Sequence, residues 1–191
     1  MATAKRPTPA PAGGQPVAAF VAGGSAAGTW TLDPAVSRVE FHSASMWGMA
    51  KIHGQFTAVS ATGSISPSGT VTGEITIQAA SLDTKNKKRD IHLRSKDFFD
   101  VAQYSTITYS VDRISPLDGK RVEVLGVLTV RGQRHPLPFT ATVTDATADA
   151  VTIEAELEVD RSHFGMGWSP MKMASMSNRI VVNAHFRKAD H

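Results

Sequence analysis

The chain has 191 residues, of which 41% are hydrophobic and 19% are charged, and its formal net charge is +3. This length and composition favour one globular domain with some additional sequence, in which roughly two thirds of the unfolded surface becomes buried. The chain has no cysteine, so disulfide scaffolds, thiol catalysis and cysteine-ligated zinc sites are excluded. The small positive charge permits an anionic partner without indicating nucleic acid.

Residues 1–28 are mostly alanine, glycine and proline, and we expect them to form a disordered tail or tether. Lys5 and Arg6 fit the basic start of a secretory signal, but four prolines interrupt the segment, and its apolar stretch, residues 17–22, is short. A divergent export signal is the alternative. The sequence therefore favours a cytoplasmic location over a secreted one and places the folded domain at residues 29–191.

From Thr29 onward, apolar and polar residues alternate in segment after segment, which is the pattern of β-strands with one buried face. Turn sequences such as Ser66-Pro67-Ser68-Gly69 separate the segments. About eight consecutive strands of this kind favour closure into a barrel, because closure leaves no unpaired edge. We predict an all-β fold, an extended antiparallel β-barrel of about eight strands with a short helical insertion. The insertion is the charged segment 84–100, and we expect it to cover the outer side of the strand at 121–130, which is apolar on both faces.

A barrel of about eight strands has an interior that holds either packed side chains or one small ligand. The residues predicted to point inward are apolar, which suits a hydrocarbon chain better than a sugar, a nucleotide or a peptide. The candidates for the lumen wall are Phe41, Ile52, Phe56, Ile75, Ile77, Val124, Leu128, Phe139, Leu157 and Phe164. The pattern is equally compatible with a closed core that these residues fill.

Several motifs occur in order between Gly28 and Phe186. They are Trp30-Thr31-Leu32-Asp33-Pro34, Lys51-Ile52-His53-Gly54-Gln55-Phe56, Ser81-Leu82-Asp83-Thr84, Arg89-Asp90-Ile91-His92-Leu93-Arg94-Ser95, Asp97-Phe98-Phe99-Asp100, Val124 to Gly132, and Asp160-Arg161-Ser162-His163-Phe164-Gly165-Met166-Gly167. With these motifs the sequence resembles the YceI-like family of lipid-binding or polyisoprenoid-binding proteins. The resemblance implies a lipocalin-like barrel with an elongated apolar pocket.

The resemblance also implies a function: non-catalytic binding, with transport or storage, of a long isoprenoid such as a prenyl quinone, or of another fatty amphiphile. No cofactor is expected beyond that bound ligand. Family members are often dimeric, so a homodimer is compatible with the resemblance. Two positions depart from the family pattern, because Val36 and Met46 stand where the family usually has histidine.

Polar candidates for contact with a ligand head group are Arg89, His92 and Arg94 in the insertion. The alternative is a local network that anchors the insertion to the barrel. The neighbouring lysines are compatible with transient contact with an anionic membrane surface, but a solvated helix face is the favoured explanation for them.

Methionine and tryptophan gather in two segments that an antiparallel barrel brings to one end. The candidates for an adaptable apolar mouth are Met46, Trp47, Met49, Met166, Trp168, Met171 and Met173. Ordinary loop packing is the simpler interpretation. A rival is a Cu(I) site formed by the thioethers of Met171, Met173 and Met176 with His53 or His163.

The motifs of several other function classes are missing from the sequence. The chain has no Gly-x-Ser-x-Gly elbow, phosphate-binding glycine loop or His-Glu-x-x-His motif, which argues against an enzyme. It also lacks aromatic residues interleaved with a basic strand face, so nucleic acid is not expected. A structural or stress-related barrel without a ligand remains an alternative.

Overall fold

The computed structural model describes residues 17–22, 24–45 and 48–189. These residues form twelve β-strands and two α-helices. In chain order the elements are α1 (Val17–Ala22), β1 (Gly28–Leu32), β2 (Arg38–Ser45), β3 (Ala50–Phe56), β4 (Val59–Ile65), β5 (Val71–Gln78), β6 (Leu82–Asp83), α2 (Lys87–Arg94), β7 (Thr106–Asp118), β8 (Arg121–Val130), β9 (Gln133–Pro136), β10 (Phe139–Ala146), β11 (Ala150–Asp160) and β12 (Ser177–Lys188). Three short 3-10 turns lie at Ala79–Ser81, Arg161–Phe164 and Pro170–Lys172. None of the helices in the described ranges is long and apolar enough to span a membrane.

The strands close into an eight-stranded antiparallel barrel, which confirms the predicted fold class. The strand order is β1-β4-β5-β7-β8-β10-β11-β12, and β12 returns to pair with β1. Closure is made by Thr31 opposite Arg187, and farther along β12 by Val182 opposite Val39 of β2. The eight barrel strands therefore form a closed wall, the arrangement that period-two alternation over many strands favours.

The first two barrel strands are each interrupted once. β1 pairs with β4, and β2 pairs with β3. The four strands form one long hairpin, in which β1 and β2 make one arm and β3 and β4 make the other. The break between β1 and β2 is a turn in which Asp33 accepts hydrogen bonds from the backbone nitrogens of Ala35, on its carboxylate, and Ser37, on its carbonyl. Pro34 lies inside this turn and has no N–H to give to a strand ladder.

Helix α1 lies across one end of the barrel, which we call the α1 end, where β1 begins and β12 finishes. The backbone nitrogen of Val17 donates to the Gly119 carbonyl at 3.1 Å. Val17 and Phe20 are buried, and the Phe20 ring meets the Trp30 ring edge-on at 6.3 Å between centroids. Residues 17–22 thus differ from the disordered tail expected over 1–28, whereas residues 1–16 lie outside the described part of the chain.

Helix α2 lies at the opposite end, the α2 end, where β2 finishes and β12 begins. Asn86 caps the helix, since its side chain accepts a hydrogen bond from the Arg89 nitrogen. The helix is shorter than the predicted insertion, and turns continue the chain to β7. Its neighbour Phe99 packs edge-on against Phe56 at 5.8 Å. Because this apolar side points toward the barrel interior, the insertion packs over the end of the barrel, a different place from the outer face of β8 that the sequence suggested.

Candidate ligand-binding cavity

A continuous apolar cavity of about 490 Å³ runs through the barrel from the α1 end to the α2 end. Phe20 and Trp30 contribute to its lining at the α1 end, and Leu93, Phe98 and Trp168 at the α2 end. The wall between them is formed by the inward residues of the barrel strands. A cavity of this size and character is in the range of pockets that enclose small organic molecules.

The structure places all ten predicted lumen residues in the lining of this cavity. They are Phe41, Ile52, Phe56, Ile75, Ile77, Val124, Leu128, Phe139, Leu157 and Phe164. Their side chains do not fill the interior, so the barrel contains more than a packed core. The rings of Phe41 and Phe56 contact one another, with their centroids 5.5 Å apart.

Sequence reasoning missed the wall at the α1 end. Val17, Phe20 and Val21 line the cavity there, although the segment was assigned to the tail. Trp30, whose indole nitrogen donates to the Ala26 carbonyl at 2.9 Å, also belongs to the lining. The missed signal is the spacing of the three α1 residues, which recur at positions i, i+3 and i+4 as on one helix face.

Of the predicted mouth residues, the structure brings Met166 and Trp168 to the cavity. Met49 and Met171 are each 76% exposed and do not line it, and neither does Met173. Met171 lies in a tight turn with a φ of 51°, and its side chain faces solvent. Met46 and Trp47 lie outside the described residues. Val36, one of the two departures from the family pattern, is exposed in the turn after β1.

Two of the three polar candidates, Arg89 and His92, line the cavity, while Arg94 does not. Arg94 instead donates from Nε to the Ala80 carbonyl at 2.9 Å and from Nη2 to the Leu82 carbonyl at 2.6 Å. These two bonds attach α2 to the segment around β6.

A second set of bonds joins α2 to Thr84. Arg89 donates from Nε to the Thr84 hydroxyl and from Nη2 to the Thr84 carbonyl, both at 2.8 Å. Buried Asp90 accepts from the Thr84 hydroxyl at 2.5 Å and from the Thr84 nitrogen at 3.0 Å. The Nε and Nη2 atoms of Arg89 therefore help to hold the helix in place.

Arg161 is a buried cation at the α2 end, and the sequence interpretation did not single it out. Its side chain is only 6% exposed and contributes to the cavity lining. Nε donates to the Ser175 carbonyl at 2.8 Å, and Nη1 donates to the carbonyls of Trp168, at 3.0 Å, and Met166. Burial lowers the pKa of the Arg161 guanidinium from its ordinary value.

Nη2 of Arg161 has no hydrogen-bond partner among the described residues, and it is the one buried side-chain nitrogen or oxygen there without any. A signal for this residue existed in the sequence. Along β11 the inward positions are the odd-numbered ones from Val151 to Val159, and Arg161 continues that register into the following 3-10 turn.

Three aromatic rings form the outer layer of the α2 end. The His92 ring lies 5.1 Å from the Phe98 ring and 4.5 Å from the Trp168 ring, and Phe98 and Trp168 lie 5.6 Å apart. His92 Nε2 also lies 3.4 Å from a carboxylate oxygen of Asp97. The Arg161 guanidinium faces the Phe98 ring at 5.3 Å from its centroid. An apolar tube thus meets a cation and aromatic rings at this end.

Comparison with known proteins identifies the barrel. The sequence profile of the YceI-like domain matches residues 30–187. The chain belongs to the YceI-like family. This confirms the resemblance seen in the sequence motifs.

Relatives of this YceI-like chain include proteins of Vibrio cholerae and Staphylococcus aureus. A UPF0312 protein of Vibrio cholerae is 31% identical over 104 residues, which are 53% of this chain and 55% of the relative. A UPF0312 protein of Staphylococcus aureus is 33% identical over 105 residues, 54% of this chain and 58% of the relative. The matched region thus spans a little over half the length of these relatives.

Solved structures with the same fold extend the comparison. Burkholderia cenocepacia BcnA superposes with a TM-score of 0.73 at 25% identity, covering 81% of this chain and 98% of that protein. A polyisoprenoid binding domain from Saccharophagus degradans gives a TM-score of 0.69 at 18% identity, over 84% and 98%. The Campylobacter jejuni YceI protein gives 0.67 at 20% identity, over 74% and 88%. The latter two establish a shared fold with this YceI-like barrel.

Four histidines of this YceI-like barrel come together in two pairs outside the cavity. His42 and His53 approach with their Nδ1 atoms 2.5 Å apart, and the His135 and His163 rings stack at 5.2 Å. Across the described ranges, no three or more histidine, aspartate or glutamate side chains form a group that could hold a metal ion. The cavity is therefore the feature of the described structure from which we argue function.

Proposed function

We propose that this chain binds a long isoprenoid such as a prenyl quinone, or another fatty amphiphile, in the barrel cavity, and that it does so without catalysis. The observation that supports the proposal most strongly is the continuous apolar cavity lined from α1 to α2. An apolar tube with polar and aromatic groups at one end matches the two-part chemistry of an amphiphile. The structural neighbour from Saccharophagus degradans, itself a polyisoprenoid binding domain, is consistent with this ligand class.

The apolar wall is expected to supply most of the affinity. Burial of about ten methylene groups at ~0.8 kcal/mol each gives roughly 8 kcal/mol before the cost of association, which removes several kcal/mol. Contacts with a head group at a hydrated surface add only about 0–1 kcal/mol each. Binding of this kind suits transport or storage, since the ligand is held by shape and hydrophobicity and is not altered.

We further propose that the α2 end makes transient contact with a membrane surface when the ligand is exchanged. Met49, Ile91 and Met171 are exposed apolar side chains in the turns and helix of this end, and Lys87 and Lys88 lie on α2 beside Ile91. Exposed apolar residues near lysines are typical of proteins that touch anionic lipid surfaces. Sedimentation with phosphatidylglycerol vesicles tests this step, and equal pelleting with Ile91→Ala would contradict it.

The first experiment is organic extraction of the natively purified protein followed by mass spectrometry. The expected result is one isoprenoid, quinone or fatty amphiphile per chain. Ala155→Phe provides a variant with a blocked lumen, because Ala155 lies on the cavity wall halfway along β11. Glu154→Phe is the matched control, since Glu154 is its neighbour on the outer face of the same strand.

The blocked variant is expected to lose the extracted ligand, and the control is expected to keep it. An empty extract from the unaltered protein, together with no rise in Tm on addition of prenyl quinones, would reject the proposal. The barrel would then be better explained as a structural module without a ligand.

A further inference from the structure

The buried guanidinium of Arg161 is only partly satisfied by the protein. Of its five N–H donors, the one on Nε and the two on Nη1 point to backbone carbonyls of Ser175, Met166 and Trp168. The two donors on Nη2 have no acceptor within the described ranges. Buried donors in native proteins nearly always have a partner, so an exception indicates a function or a missing ligand.

The charge of Arg161 also lacks a salt-bridge partner among the described residues. Within the described residues, no carboxylate lies within salt-bridge distance of the guanidinium, although other arginines of the chain, such as Arg179 and Arg187, are paired with acids. A buried cation without an anionic partner carries a desolvation penalty that an oxygen acceptor reduces. The Phe98 ring, facing the guanidinium at 5.3 Å, compensates for a part of this penalty.

The position of Arg161 links it to the cavity. It continues the inward register of β11 and contributes to the lining beside His92 and Trp168. The other arginine in the lining, Arg89, spends its Nε and Nη2 donors on Thr84. Among the arginines of the lining, Arg161 is thus the one whose terminal nitrogen is buried and unpaired.

We propose that Nη2 of Arg161 receives one acceptor oxygen of the ligand head group, either a carboxylate oxygen or a quinone carbonyl oxygen. This proposal rests on the proposed function, that is, on a chain occupying the lumen. Nη2 is buried in the structure, so a neighbouring side chain has to move before the oxygen reaches it, and we assign this movement to the Phe98 ring that faces the guanidinium. Rotamer changes of this size are common when ligands bind. With Nε and Nη1 engaged, the site offers a single nitrogen and not the two-pronged fork that binds phosphates.

The test compares three ligands that share one tail: geranylgeranoic acid, a geranylgeranyl benzoquinone, and the hydrocarbon of the same chain. Dissociation constants are measured by competition against a fluorescent fatty probe. At least one oxygen-bearing ligand is expected to bind the unaltered protein about 10-fold or more tighter than the hydrocarbon, as for a hydrogen bond to a charged group. Tighter binding of the acid would indicate a carboxylate head group, and tighter binding of the benzoquinone would indicate a quinone head group.

Arg161→Gln is the diagnostic variant, and Arg131→Gln is its matched control. Arg131 belongs to the same end of the barrel and also donates to a loop carbonyl, that of Gly165 at 2.8 Å, but it does not line the cavity. In Arg161→Gln, the affinity of the preferred oxygen-bearing ligand divided by that of the hydrocarbon is expected to fall close to one. Arg131→Gln is expected to keep the ratio of the unaltered protein. The ratio is measured within one variant, so a lower folded fraction does not affect it. If Arg161→Gln does not fold, Arg161→Lys, which keeps the charge but has a single ammonium, is used.

Each outcome distinguishes this inference from the proposed function. Equal affinities of all three ligands for the unaltered protein would overturn the role of Arg161 and leave lumen binding intact. A preference that persists in Arg161→Gln would also overturn it, because the oxygen would then be received elsewhere. Failure of all three ligands to bind would reject both proposals.

Discussion

At the scale of single residues, Asp90 stabilises the insertion through one threonine. Asp90 is 7% exposed, and its carboxylate accepts two hydrogen bonds from Thr84, while Arg89 donates to the hydroxyl of the same threonine. Loss of a buried charged acceptor leaves both Thr84 donors unsatisfied. The network explains why polar residues of a central motif are buried next to an apolar lumen.

Asp90→Asn is expected to lower the free energy of unfolding by about 1–3 kcal/mol, because one amide oxygen replaces a charged acceptor. Urea denaturation followed by circular dichroism measures this change. Asp97→Asn is the control, since Asp97 is exposed and its pairing with His92 is worth about 0–1 kcal/mol. Equal losses in the two variants would show that the Thr84 network has no special weight.

Tyr109 predicts a pH dependence of stability. Burial raises the pKa of its hydroxyl to about 12, with a smaller contribution from Asp112, and the hydroxyl donates to the Leu137 carbonyl at 2.9 Å. In the unfolded chain tyrosine has a pKa of about 10, so the unfolded state loses this proton first. The stabilising effect is complete below pH ~10 and is lost as the pH rises toward 12.

The unfolding free energy should therefore fall between pH 10 and 12 by an amount with an upper limit of about 2.7 kcal/mol from this group. Urea denaturation of the unaltered protein and of Tyr109→Phe across this pH range separates the contribution of Tyr109 from the titration of lysine and arginine. The unfolding free energy of the unaltered protein minus that of Tyr109→Phe should decrease or change sign as the pH rises from about 10 to 12. A constant offset would contradict the assignment.

Which residues the sequence could identify depends on the strand register. Alternation with period two places Phe41, Ile75 and Leu157 inside from sequence alone, because a closed barrel has only two faces. Arg161 follows the same register, but a search for apolar residues does not select it because it is charged. The prediction of Met171 as a mouth residue is wrong for the opposite reason, since an apolar side chain in a turn can face solvent.

At the scale of elements, α1 is an integral part of the barrel. Its one apolar side, with Val17 and Phe20, packs against Trp30 and the strands of the α1 end. Composition could not predict this, because alanine, glycine and proline dominate the segment around it, and a short helix is formed only when tertiary packing supports it. Strands, in contrast, were predicted well from alternation that extends over many residues.

Phe20→Ala is expected to destabilise the protein by about 3 kcal/mol, the usual loss for a buried phenylalanine, and to speed release of a lumen ligand. Urea denaturation gives the first quantity, and stopped-flow displacement of a fluorescent fatty probe gives the second. Leu117→Ala is the control at the same end, because Leu117 is exposed and its truncation should cost less than about 0.5 kcal/mol. An unchanged release rate in Phe20→Ala would argue against α1 as a closure.

At the scale of the whole molecule, strand pairing and the lumen depend on each other. β12 pairs with both β1 and β2, so the first and last strands of the barrel meet along almost its full height. Closure of this kind is a long-range contact that no local pattern encodes, although the need to satisfy every strand edge favours it. The fold class could therefore be predicted from sequence, whereas the end that α1 covers could not.

The closure by α1 turns the barrel into a molecular ruler. The inward positions of β11 run from Val151 to Val159, eight residue steps that span about 26 Å along the strand, or ~20 Å along the axis at a tilt of about 40°. With C–C bonds of about 1.5 Å, an extended chain advances ~1.25 Å per carbon and fills this length with roughly sixteen main-chain carbons, or about four isoprene units. Affinity should rise with each unit up to that length and then level off, because further units remain in water or must fold back. A prenyl series measured by calorimetry would show the plateau, and a steady rise beyond it would mean that the tube is open at both ends.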